Sequence, residues 1–227
     1  PRSTLSSSSA ASDVYKRQDL LWEHRYEAPY TTVYLYAIGP RCTPTVSAEQ
    51  VYALGAEGHL HCLKASTGEV LWARHLPADY GVAVPEWGYA AHPLVVGDQV
   101  ICMVGGDGST VVSLDRHTGE ERWRSLSSDK PGYCPPSQVT LGGRQQVLVW
   151  HGEALAGLNP SNGRPFWRVD AKPLYGMSIG LPRVFENHIH VMGFNRFSAT
   201  YQVAPDGLSA HRLWGGDVRK GMGGVLN

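Results

Sequence analysis

The sequence predicts an all-β fold, a β-propeller of four-stranded antiparallel blades present as a partial, open arc of about four blades. Three observations carry that expectation. The first is composition. The 227 residues include 26 Gly and 15 Pro, only 18% are charged, and Trp (7) and Tyr (11) outnumber Phe (4). Such a mixture favours short strands and tight turns over helices. The second is a beat of tryptophans, Trp22, Trp72, Trp123, Trp167 and Trp214, with steps of 50, 51, 44 and 47 residues. The third is a turn with Gly four residues before three of these rings, at Gly68, Gly119 and Gly163. Repetition at a period of 44–51 residues is the mark of a stacked array.

Charge and hydropathy remove several function classes. Twenty Lys and Arg balance twenty Asp and Glu, giving a formal net charge of zero. A nucleic-acid or anionic-membrane binder would carry a basic footprint, so no nucleic-acid partner is expected. A hydrophobic fraction of 42% is that of a chain with a packed core. No 18-residue apolar run occurs, so no transmembrane helix is expected.

Residues 1–18 read as a leader, either non-native or a disordered linker. Ser6, Ser7, Ser8 and Ser9 lie in it without the apolar core of a signal peptide. Asp13-Val14-Tyr15-Lys16-Arg17-Gln18 resembles the translation of a transposase adaptor end used in sequencing libraries. That reading implies that a true N-terminus, with any export signal, lies elsewhere. The domain is expected over 19–227, with units at roughly 43–76, 92–126, 135–169 and 181–214.

Each unit offers the same four strands in order. An inner strand begins at or after a proline: Pro44-Thr45-Val46, Pro93-Leu94-Val95-Val96, Pro136-Ser137-Gln138-Val139 and Pro182-Arg183-Val184. A second run follows at Val51–Leu54, Val100–Val104, Val147–Trp150 and Ile189–Met192. Glu57-Gly58, Asp107-Gly108 and His151-Gly152 then supply hairpin turns, where Gly tolerates positive φ. The third runs are His59–Leu63, Thr110–Leu114, Ala154–Leu158 and Ala199–Val203. The Gly turn and the Trp-bearing outer strand close the unit. The fourth copy is degenerate, with Asp206-Gly207 seven residues before Trp214. Alternation of apolar positions fits strands, and no helical stripe with caps is evident. A blade buries both faces only by stacking, so a planar ring on the outer strand is expected to fill the widening wedge between blades. Such a ring buries about 150–250 Å², and truncation to Ala should cost about 3–5 kcal/mol.

The run Ser113-Leu114-Asp115-Arg116-His117-Thr118-Gly119-Glu120-Glu121-Arg122-Trp123 resembles the tryptophan-docking repeat of the pyrroloquinoline-quinone (PQQ) type of β-propeller. Copies at 62–72 and 157–167 fit less well, because Lys64 and Asn159 stand where the pattern prefers Asp. Phrases at Gly39–Val46, Trp87–Val95 and Tyr175–Arg183 also resemble PQQ-like repeat proteins of planctomycete-type bacteria. The resemblance covers essentially all of 19–227 and implies an eight-bladed parent. It also implies an exported protein, periplasmic or outer-membrane associated. The family includes PQQ- and calcium-dependent alcohol dehydrogenases and the non-enzymatic propeller lipoprotein of the outer-membrane β-barrel assembly machinery. End sheets of an open arc would lack their neighbours, which implies self-association through them.

The residues themselves lean away from catalysis. Quinoprotein dehydrogenases use adjacent cysteines, whereas Cys42, Cys62, Cys102 and Cys134 are scattered singly. They lack metal spacing too, so no metal site is assigned. No Gly-x-Ser-x-Gly elbow occurs. PQQ and calcium therefore enter only through the resemblance. The expected role is a binding or scaffold module, and a fragment of a quinoprotein alcohol or sugar dehydrogenase is the alternative. The candidate rim lies where inner strands begin, at one mouth of the channel. It comprises Arg41, Trp87, Tyr89, His92, Tyr133, Tyr175 and Met177, with His151 and Glu153 at a hairpin as a second candidate. Aromatic bodies with a few polar tips suit a small ligand or a protein partner. The competing readings are packing of blade junctions for the rim, and a solvated turn for His151 and Glu153. Trp22, Gly68, Trp72, Gly119, Trp123, Gly163, Trp167 and Trp214 are assigned to blade docking.

Overall fold

A computed structural model describes residues 19–30 and 39–216. The leader assigned to residues 1–18 lies outside the described residues. Among the described residues, sixteen strands form four antiparallel four-stranded sheets, each a simple meander in sequence order. Blade 1 holds β1 (Thr45–Ser47), β2 (Gln50–Leu54), β3 (His59–Lys64) and β4 (Val70–His75). Blade 2 holds β5 (Leu94–Val96), β6 (Gln99–Met103), β7 (Val111–Asp115) and β8 (Glu121–Ser125). Blade 3 holds β9 (Ser137–Leu141), β10 (Arg144–Trp150), β11 (Ala154–Leu158) and β12 (Pro165–Asp170). Blade 4 holds β13 (Arg183–Phe185), β14 (His188–Met192), β15 (Ser198–Val203) and β16 (Ala210–Gly216). The inner strands β1, β5 and β9 neighbour one another in turn, as the inner wall of an arc requires.

The core lies between the sheets, and strand alternation assigns each side chain to one joint. Tyr52, Leu60, Cys62 and Trp72 of blade 1 meet Val100, Cys102, Val112 and Leu114 of blade 2. The next residues along β6, Ile101 and Met103, face the other way and meet Val147, Val149 and Ala156 of blade 3. Leu148 and Trp150 of β10 in turn face Ile189, Val191 and Tyr201 of blade 4. A period of two thus makes Val100–Met103 of β6 and Val147–Trp150 of β10 continuously apolar, because both faces are covered there.

The rings of Trp72 and Trp123 lie buried in the joints between blades. The Gly turn does more than start its own outer strand: it receives the ring of the preceding blade. A Cβ on Gly119 would lie 2.8 Å from Trp72, and one on Gly163 would lie 2.3 Å from Trp123. Both glycines are left-handed, at φ 75° and 70°. Each indole N–H also donates across the joint, Trp72 to the Arg116 carbonyl at 3.0 Å and Trp123 to the Pro160 carbonyl at 3.1 Å. Trp22 repeats the arrangement on Gly68, donating to the Ala65 carbonyl at 2.7 Å. Trp167 departs from it. Its N–H donates to Gln146 Oε1 at 2.8 Å, and Gln146 Nε2 bridges to the Gly207 carbonyl at 3.1 Å. Trp214 is half-buried and stacks on His190 at 6.3 Å.

Two local expectations are corrected. A short helix, α1 (Leu76–Tyr80), follows β4. Pro77 in its first turn and Gly81, a left-handed cap at φ 64°, explain it. Gly152 is not left-handed, unlike Gly58 (φ 88°) and Gly108 (φ 69°). Its constraint is close approach, since a Cβ there would lie 2.7 Å from Lys130 Cβ and 3.0 Å from Gly176 Cα.

Candidate functional site

In a four-stranded meander the starts of the first and third strands share an edge with the ends of the second and fourth. Inner-strand entrances and the hairpins between second and third strands therefore lie on one face of the arc. The sequence-predicted rim and the His151–Glu153 hairpin belong to that single face.

An open cleft of about 1210 Å³ crosses it, walled by the loops of blades 2, 3 and 4. Asp129, Lys130, Glu153, Lys172, Tyr175 and Arg196 line it. Among the described residues, none of its five charged groups in that set takes part in a salt bridge. Three cations and two anions are thus available to a ligand, beside Asp107, whose carboxylate accepts from Ser127 Oγ at 2.6 Å. Tyr175 is 63% exposed, with its ring 6.4 Å from Phe194. The floor is rigidly built. The Lys130 stem lies in a slot over Gly152 and Gly176, where a Cβ at either would come within 2.7 Å of it. The Gly152 N–H donates to the Lys130 carbonyl at 2.9 Å.

Backbone strain gathers at the same place. Tyr175 (φ 59°), Asn195 (φ 49°) and Arg196 (φ 75°) are left-handed residues with side chains, and all three line the cleft. Such conformations cost about 1–3 kcal/mol each and cluster at ligand clamps.

The predicted rim residues divide into three groups. Trp87 and Tyr133 meet edge to face at 5.9 Å. Burial pushes the Tyr133 phenol up, while Arg41 acts on it in the opposite sense. The Tyr133 N–H donates to the Ser178 carbonyl at 2.9 Å, and Ser178 Oγ donates to the Trp150 carbonyl at 2.8 Å. These bonds tie the Arg41–Trp87–Tyr133 group to the cleft loops. Tyr175 and Glu153 form the second group, directly in the cleft. Met177 is half-buried behind it, its carbonyl accepting from the Phe194 N–H at 3.3 Å.

The third group is not at the rim surface. Tyr89 is only 3% exposed and donates to the Val104 carbonyl at 3.1 Å, so it packs the joint between blades 1 and 2. His92 is half-buried, and burial lowers its pKa. His151 is fully buried, which overturns a solvated turn at that position. Its Nδ1 accepts from the Glu153 N–H at 3.3 Å, which places the neutral ring's proton on Nε2. That Nε2 is buried without a hydrogen-bond partner. Burial, then Arg168, push the imidazole down to about 4 against the opposing effect of Glu153.

Lys130, Lys172, Asn195 and Arg196 were missed in the sequence. One signal was present. The fourth unit's hairpin keeps Gly193, the counterpart of Gly55, but carries Asn195-Arg196 where the first reads Glu57-Gly58, so positive φ falls on residues with side chains.

Cys42, Cys62, Cys102 and Cys134 are free and unpaired. No three His, Cys, Asp or Glu side chains converge as metal ligands among the described residues.

Comparison with known proteins follows the fold. A family model described as outer membrane protein assembly factor BamB matches residues 11–218. BamB from Moraxella catarrhalis is similar in structure, with TM-score 0.56 and 18% identity, over 78% of this chain and 53% of that one. Quinohemoprotein alcohol dehydrogenase from Comamonas testosteroni has TM-score 0.52 and 14% identity, over 79% of this chain and 35% of that one. The chain thus spans about half, or less, of the length of these structures. No match was found among the curated proteins.

Proposed function

The chain belongs to the family of the outer membrane protein assembly factor BamB, and from that premise we propose that it is a non-catalytic binding module of the cell envelope that holds an extended polypeptide segment. The observation that carries this reading is the cleft, where charged side chains of both signs that make no salt bridge among the described residues line the same space as an exposed tyrosine. A strand-like peptide with an aromatic residue between opposite charges meets every feature of it. The aromatic side chain lies along Tyr175. Its carboxylate meets Lys172 and Arg196, and its basic group meets Asp129 and Glu153. Rigid walls reduce the ordering cost of binding. The family relationship supports a periplasmic or outer-membrane location and protein partners.

Fluorescence anisotropy with dye-labelled peptides of the pattern Lys-x-Phe-x-Glu, in extended sequence context, tests the reading. The expected result is saturable binding that weakens at least tenfold in a Lys172→Glu, Arg196→Glu variant with an unchanged circular dichroism spectrum. Equal binding by that variant overturns the cleft assignment. Stoichiometric uptake of PQQ with calcium, accompanied by dye-linked alcohol oxidation, overturns the scaffold reading in favour of a quinoprotein fragment.

A further inference from the structure

Residues 19–30 cross the face of blade 1 opposite the one that meets blade 2. Trp22 anchors the segment on Gly68 and on the Ala65 carbonyl. Four residues on, the Tyr26 hydroxyl occupies the space above Gly55, where a Cβ would overlap it. Between and beneath these anchors lies a chain of imidazoles. His24 meets His61 at 4.9 Å between ring centroids, Tyr26 meets His61 at 4.6 Å and His59 at 5.3 Å, and His59 stacks on His75 at 4.3 Å. His59 and His61 share one face of β3, and His75 is the cross-strand partner of His59. His24 Nε2, His59 Nδ1 and His61 Nδ1 are all buried without a hydrogen-bond partner.

We propose that residues 19–26 form a latch that docks on blade 1 while His59 and His61 beneath it are neutral and releases when they are protonated. Uncharged rings stack face to edge at little cost, whereas imidazolium groups at the same separations repel one another and lack acceptors for their N–H groups. The other ionisable groups facing the cluster do not neutralise it. Tyr26 is a phenol raised to about 12, chiefly by burial, with Tyr30 and Cys42 adding to the shift. Glu57 favours protonation of His59, but burial and His75 outweigh it. Glu23 and Arg25 on the segment pair with each other at 2.8 Å.

The sign follows from linkage. Burial, then His24 and His59, hold His61 down to about 4 when the latch is docked. Lifting the latch restores water and lets the ring return toward about 6.5. The released state then binds more protons, so docking is complete above about pH 7 and weakens as pH falls through about 6.5. For His61 alone the limit is about a tenfold weakening between pH 7.5 and 5.5.

Hydrogen–deuterium exchange of the intact chain, corrected for intrinsic exchange rates and read by mass spectrometry on peptides covering 19–30, tests this. Protection of that segment should fall up to about tenfold from pH 7.5 to 5.5 while β6 and β10 stay protected. His61→Phe, which keeps a ring in place, should flatten the pH dependence, and His24→Leu on the segment should do so partly. Protection independent of pH in the parent chain overturns the proposal. So does loss of protection in β6 and β10 in step with the segment, or an unchanged pH dependence in both variants.

Discussion

Replacing Gly163 by Ala should destabilise the protein for two separable reasons. The residue is left-handed at φ 70°, which costs an L-residue about 1–2 kcal/mol. The new Cβ would also lie 2.3 Å from Trp123 Cε3 and 2.8 Å from two further ring atoms. Trp123 is 7% exposed and held by Gln99 Oε1 at 2.7 Å and the Pro160 carbonyl. The ring cannot retreat freely, so overpacking adds about 1–3 kcal/mol. The total is about 2–5 kcal/mol, from these two sources. Gly143, in the same blade, is an internal control. It has φ 72° and nothing within 4 Å of where a Cβ would stand, so Gly143→Ala should show the backbone cost alone, about 1–2 kcal/mol. Urea unfolding followed by tryptophan fluorescence reads the difference. With a slope of about 2 kcal/mol per molar, midpoints should fall by about 1–2.5 M and about 0.5–1 M respectively. A double-mutant cycle sharpens it: in a Trp123→Ala background, Gly163→Ala should fall to the Gly143 value. Equal losses at Gly163 and Gly143, or full additivity with Trp123→Ala, would refute the claim that the preceding blade's ring makes this glycine necessary.

Gln146→Leu should lower the thermal midpoint, because it strands the Trp167 N–H and removes donors from the Leu141 and Gly207 carbonyls. An unsatisfied buried group costs about 1–3 kcal/mol, which scanning calorimetry would read as a drop of about 2–12 °C for a domain of this size. Asp115→Asn should weaken the protein at pH 7 and leave it unchanged near pH 2. The Arg122 guanidinium, then the His117 N–H, hold that carboxyl down to about 2, so its contribution is present above the ordinary carboxylate range and is lost as pH falls through about 2. Asn keeps the turn cap, as Asn159 does at the matching place with the Ser161 N–H at 2.9 Å, so the difference isolates an ion pair that solvent partly screens.

The fold was legible because its determinants are local and repeated. Alternation in Leu60 and Cys62, Gly at the hairpins and Trp on the outer strand each recur, and each demands a strand, a turn or a joint without reference to distant residues. The site was legible only in part. Tyr175 and Glu153 were found because an aromatic beside Gly, and an acid at a hairpin, stand out along the chain. Tyr89 has the same local signature beside Gly88, yet it packs a joint. What separates the two is whether a neighbouring blade offers an acceptor, here the Val104 carbonyl, and no single repeat contains that information. Lys130 and Arg196 were invisible for the complementary reason. They come from different blades, and only the shared edge of the meander makes them neighbours.

The docking joint shows the same division more sharply. Along the chain, Thr118-Gly119-Glu120-Glu121-Arg122-Trp123 reads as one device. In space Gly119 belongs to the joint with Trp72, and Trp123 to the joint with Gly163. The six-residue phrase is therefore the end of one contact and the beginning of the next. Its two halves are constrained by different neighbours and can vary independently. The fourth unit illustrates this. Its Gly207 keeps φ 72° while the place of a ring is taken by the Leu141 carbonyl and the side chains of Arg144 and Gln146. At the other end, Trp22 lacks a strand of its own and still meets Gly68 as Trp72 meets Gly119. The unit of stability in this arc is thus the joint, one ring with one glycine and one carbonyl drawn from two consecutive repeats, and damage at either residue should be felt by two blades at once.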